Sequence, residues 1–234
     1  MSDKNKACKT DNILDVTKSE QYRTVEELFD NCQANPVYYT LLILSSLIIA
    51  CGLLLVNPII IIGGILVTPF LTPILVIALS ISVGEMKAMR SLSFLVLKSA
   101  FIIIAVSFVL ALLFGTQPDS LIFGDSLRVA ILYFVVAVTS GVAATFAWTR
   151  KEVADVLPGL AIAVSLVPPL SALGIGLSNF DFYISRLAFL TFTFNLIGVI
   201  LGSLVVFSIL KFHKSEQVIH KEAVEQEKES EKKQ

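Results

Sequence analysis

Charge is scarce in this sequence: 16% of its 234 residues are charged, against about a quarter in an ordinary soluble domain. Cysteine is scarcer still. Cys8, Cys32 and Cys51 have no short spacing and no histidine beside them, which excludes a disulfide frame and a zinc site. The two histidines, His213 and His220, both stand in a polar tail. No glycine-rich phosphate loop, metal-ligand spacing or nucleophile elbow is present, so neither catalysis, a cofactor nor a metal is expected. No basic stretch interleaved with aromatics suggests nucleic acid.

What the chain has in excess is apolar length. Hydrophobic residues make up 55% and the mean hydropathy is +0.81, which places the chain among membrane proteins. Six apolar segments stand near 38–56, 59–83, 91–114, 127–147, 158–177 and 185–210. A helix needs roughly 20 apolar residues to cross the hydrocarbon, and all six qualify or come close. Residues 1–36 read as a polar tail, 37–210 as a membrane domain and 211–234 as a charged tail of mixed Glu and Lys. In the first tail Tyr22, Val25, Leu28, Phe29 and Cys32 recur at helical spacing. They predict a short amphipathic helix lying on the membrane surface or against a neighbouring helix.

Lysine and arginine set the orientation. Sixteen of the 18 fall on the two tails and the second and fourth connections. Only Arg128 and Arg186 fall on the other side. Basic loops stay in the cytoplasm, so the expected protein is a multi-pass protein of the cytoplasmic (inner) membrane with both termini inside.

An internal repeat organises the membrane domain. Gly63, Pro73, Glu85 and Arg90 recur as Gly159, Pro169, Asp181 and Arg186, at a constant offset of 96 residues. Each half (37–114 and 127–210) then holds three spans, an odd number, so the second half runs upside down relative to the first. The expected fold is all-α, with six transmembrane helices in two inverted three-helix repeats, an arrangement found in many secondary transporters.

Pro69 and Pro73 interrupt the second span, and Pro168 and Pro169 the fifth. Matched interruptions in two halves point to a central binding site, or else to kinks that only pack. Thr68, Thr72 and Ser165 lie beside the breaks, and Asn195 in the sixth span is a polar amide that could glue helices or meet a ligand. Glu85 with Arg90 and Asp181 with Arg186 are candidate charge pairs across short turns. Arg186 breaks the basic-residue rule and is expected to face the bundle interior and pair there. Gly198 and Gly202 form a GxxxG suited to close helix packing.

NPIIIIGGILVTPFLTPI at 57–74 and SLVPPLSALGIGLSNFD at 165–181 resemble the two signatures of a prokaryotic membrane family, domain of unknown function 389. The resemblance spans roughly 38–210 and implies a multi-span helical membrane protein without an established activity. The family's second signature ends in Gly-Asp, whereas here Phe180 precedes Asp181. Function is read from the residues: a transporter or channel for a small solute or ion, with its site between the second and fifth spans. The alternative is a non-conducting scaffold or sensor subunit. The partners this allows are the bilayer, the solute or ion, and further copies of the chain.

Overall fold

The computed structural model describes residues 18–32, 34–115, 127–149, 166–210 and 212. Eight helices are assigned within them: α1 Lys18–Asp30, α2 Pro36–Leu54, α3 Pro58–Val67, α4 Leu71–Val83, α5 Met86–Phe114, α6 Leu127–Thr149, α7 Val167–Ser178 and α8 Phe182–Ile209. Four are long and apolar enough to span a membrane, and a fifth span exists if α3 and α4, bent by 56° at their junction, count as one. Six spans are therefore more than these helices amount to. The shortfall is α7, whose 12 residues rise only about 18 Å. Residues 158–165 of the expected fifth span lie outside the described residues.

The helices are ordered by how completely they bury themselves. Every residue of α4 from Pro73 to Ser80 is buried, and α7 buries Val167, Pro169 to Ala172 and Gly174 to Gly176. These two short helices are interior on all sides. Each packs against both α5 and α8, while α4 and α7 barely touch one another, as do α5 and α8. The four helices thus form a ring with α4 and α7 at opposite corners. By contrast, α5 buries one stripe, Ala88, Leu92, Leu95, Ser99, Ile103, Ser107 and Ala111. It leaves Phe94, Leu97, Phe101 and Leu112 exposed, as a lipid-facing helix would.

Small residues set the closest approaches. A Cβ on Gly202 would run into the Val138 carbonyl of α6, and one on Gly198 would sit 2.8 Å from Ala137. Both glycines of the GxxxG therefore seat α8 on α6. The contact runs parallel, 198 beside 134–138 and 202 beside 138–142. Ser203 adds a 3.3 Å hydrogen bond to the Gly141 carbonyl. On the other side of the bundle Gly52 and Gly64 let α3 fold back onto α2, against Ile61 and Ile49.

The repeat is visible in the turns. After α4, Gly84 adopts φ 83° and the Glu85 N–H donates to the Ser80 carbonyl. Ninety-six residues on, Phe180 adopts φ 56° and the Asp181 N–H donates to the Gly176 carbonyl. This is the left-handed helix stop that glycine favours. The turn survives the missing glycine, although a side chain in that conformation costs about 1–2 kcal/mol. The long helices α5 and α8 then start from Glu85 and Asp181 as N-caps.

The amphipathic helix α1 lies against the bundle. It packs on α4 and α6 and buries Gln21, Thr24, Val25, Leu28, Phe29 and Cys32. Gln21 Nε2 donates to the Leu210 carbonyl at 2.9 Å, tying α1 to the end of α8. Burial also pushes the Cys32 thiol well above its ordinary pKa, and only the thiolate is nucleophilic. Cys32 should therefore resist maleimide at pH 8 in folded protein and label after unfolding in SDS. Mass-spectrometric mapping checks this, and fast labelling of folded protein would contradict a docked α1.

Candidate functional site

The prolines do not interrupt helices; they begin them. Pro69 stands in the link between α3 and α4, Pro73 is the third residue of α4, and Pro168 and Pro169 are the second and third of α7. First-turn N–H groups have no acceptor within the helix, so proline costs nothing there. The expected break in the second span is real: the helix stops at Thr68–Phe70 and restarts at a 56° bend. Thr68 is the C-cap of α3, with extended φ and ψ.

Polar atoms inside the bundle fall into two groups. Most buried hydroxyls are satisfied locally: Ser46 donates to Leu42, Ser80 to Val76 and Thr145 to Gly141, each at the carbonyl four residues back. Tyr38 and Ser99 bond across from α2 to α5 at 3.0 Å. Among the described residues four side-chain oxygens are buried without any hydrogen-bond partner: Thr68 Oγ1, Ser107 Oγ, Ser171 Oγ and Asn195 Oδ1. They come from the α3–α4 link, α5, α7 and α8 in turn. Three of those elements belong to the ring, and the fourth, the link, adjoins α4. A buried, unbonded polar oxygen costs about 1–3 kcal/mol, so four of them in one small bundle call for an explanation.

Ser107 meets α7 directly, since a Cβ on Gly174 would lie 3.0 Å from its Cβ. Ser171 is one turn before Gly174 on the same face of α7. Asn195 is 4% exposed and lies on the α8 stripe that continues as Gly198 and Gly202. Thr72 and Pro73 occupy the first turn of α4. Ser165 lies outside the described residues. Sequence reading picked out Thr68 and Asn195 but missed Ser107 and Ser171. The signal for Ser107 was present: it continues the buried stripe of Ser99, Ala100 and Ile103, and its counterpart at the 96-residue offset is Ser203.

The charged candidates are elsewhere. Asp181 caps α8 by accepting from the N–H groups of Tyr183 and Ile184, both at 3.0 Å. No ion pair joins Glu85 to Arg90 or Asp181 to Arg186 among the described residues, where the ion pair found is Arg23 with Glu27 at 3.5 Å. Arg186 is exposed, which corrects the expectation that it faces the interior. It sits one turn into α8, on the side away from the buried Ser185 and Ala188, where a guanidinium can reach interfacial water. Lys98 leans over the Tyr39 ring, 4.8 Å from its centre, a cation–π contact at a span end. No group of three or more His, Cys, Asp or Glu is close enough to hold a metal among the described residues.

The α3–α4 break and most of the ring fall within residues 65–201, the stretch matched by the family described as domain of unknown function DUF389. The chain belongs to this family. A DUF389 assignment over more than half the sequence agrees with the apolar helices and names no activity. An uncharacterised protein of Methanocaldococcus jannaschii is 24% identical over 194 residues, covering 82% of this chain and 59% of its own length. The chain therefore spans about three fifths of that relative. No solved structure matches the chain.

Proposed function

We propose that this DUF389 protein is a six-span protein of the inner membrane, built of two inverted halves with both termini in the cytoplasm. We propose further that it passes a small solute or ion between α4 and α7. The observation that supports this reading is the set of four buried, unbonded oxygens on Thr68, Ser107, Ser171 and Asn195. Hydrocarbon offers such groups nothing to bond, whereas a ligand in transit would. All four are uncharged. Neutral oxygens suit a small cation that sheds its water onto them, or a neutral hydroxylated solute. The first turn of α7 has lost two of its N–H donors to Pro168 and Pro169, which makes it a poor cradle for an anion. No catalytic step is proposed.

Purified protein in sealed vesicles tests the reading. Uptake of monovalent cations or small polyols should appear with the parent and fall at least about tenfold with Pro73→Ala/Pro169→Ala, because proline fixes the first turns of α4 and α7 and alanine there lets each helix start shift. Vesicles tight to every solute tried would favour the rival reading, a scaffold or sensor acting through its charged tails.

A further inference from the structure

At the start of α5 an open groove of about 620 Å³ is lined by Lys87, Arg90, Ser91, Ser93, Phe94 and Leu97. These residues follow one another along the exposed side of the helix. No ion pair holds Lys87 or Arg90 among the described residues. The first-turn N–H groups of α5 lie beside them. The positive end of the helix dipole thus adds to the two cations. Beyond the serines the character of the face changes within one turn. Phe94, Leu97 and Phe101 are 69%, 67% and 71% exposed.

The 96-residue repeat supplies an internal comparison. The same positions on α8 carry Tyr183, Arg186, Leu187, Phe189, Leu190 and Thr193. One base stands there instead of two, and Leu187 and Phe189 replace the two serines. Two bases with two hydroxyls are therefore not inherited from the helix start as such; they belong to the groove on α5.

We propose that this groove holds the phosphate headgroup of an anionic phospholipid on Lys87, Arg90, Ser91 and Ser93. Its acyl chain runs along Phe94, Leu97 and Phe101. The order of the lining decides the occupant. Cation and hydroxyl pass to apolar surface along a single line, which matches a head followed by a tail. A free phosphate or an acidic peptide segment would leave Phe94 and Leu97 uncovered.

Native mass spectrometry of the full chain, released from mixed micelles of phosphatidylglycerol and phosphatidylcholine, tests this. The parent should retain phosphatidylglycerol selectively. Lys87→Gln/Arg90→Gln should weaken retention by about 30-fold, roughly fivefold for each charge removed near an anionic surface. Lys87→Arg/Arg90→Lys should keep it, and Lys98→Gln, outside the groove, should not matter. Unchanged melting of the double glutamine variant in neutral detergent would show that the fold is intact. Equal retention of both lipids, retention by the double variant, or displacement by millimolar inorganic phosphate would each overturn the proposal.

Discussion

Ser171→Ala and Asn195→Leu are expected to stabilise the resting protein and to stop flux at the same time. Ser171 is fully buried and Asn195 is 4% exposed, and neither Ser171 Oγ nor Asn195 Oδ1 has a hydrogen-bond partner. Replacing each by an apolar side chain of similar reach removes a group that costs about 1–3 kcal/mol while unbonded. Melting in detergent should rise by a few degrees. If these oxygens meet a solute in transit, vesicle uptake should drop at least about tenfold per variant, since the replaced group leaves the solute's own polar surface unpaired in a dry bundle. The opposite sign separates the alternatives. Were Asn195 helix glue, Asn195→Leu would lower stability, and flux would fall only with the folded fraction. Ser46→Ala is the control: its hydroxyl already bonds the Leu42 carbonyl at 2.6 Å, so neither quantity should change much.

Gly202→Leu should be among the most damaging single substitutions in the membrane domain. The space beside Gly202 is filled by the Val138 carbonyl and the Val142 N–H, which are helix backbone and cannot swing aside as a side chain would. Accommodating a leucine requires α8 to move off α6 along the whole parallel contact, with loss of the Ser203 bond to Gly141. Overpacking of this kind costs about 1–3 kcal/mol where side chains can yield, and more is expected where only backbone is present. The midpoint of thermal unfolding should fall by on the order of 5 °C or more. Gly63→Leu is the matched control, because nothing lies within 4 Å of its added Cβ. Similar melting curves for the two variants would contradict the packing described.

The comparison of Gly84 with Phe180 shows what the sequence made legible. The constant offset placed both turns near the paired acids and arginines, but Gly84 and Phe180 went unmarked as helix stops, and Glu85 and Asp181 begin α5 and α8 instead of ending the helices before them. The helix starts at Leu71 and Val167, and again at Met86 and Phe182, follow the same offset. Orientation about each helix axis was not legible. In a soluble helix, polar residues mark the outer face. Here Phe94 and Phe101 face outward while Ser99 and Ser107 face inward, so apolar periodicity cannot tell lipid from core. That is why Ser171, set among Leu170 and Ala172, went unmarked, while Arg186 was expected inside only because it breaks the basic-residue rule. Prolines mislead for a related reason: the residue alone does not say whether it ends one helix or opens the next.

The bond from Gln21 to Leu210 joins positions 189 residues apart, and this has a consequence for biosynthesis. The ribosome makes α1 first, yet the end of α8 that receives it appears only after nearly all of the membrane domain. At translation rates of 5–20 residues per second, the wait is about 10–40 s. Before then α1 can meet α4 and later α6, but not the Leu210 carbonyl that Gln21 bonds. The Gln21–Leu210 bond therefore forms only after α8 has been made.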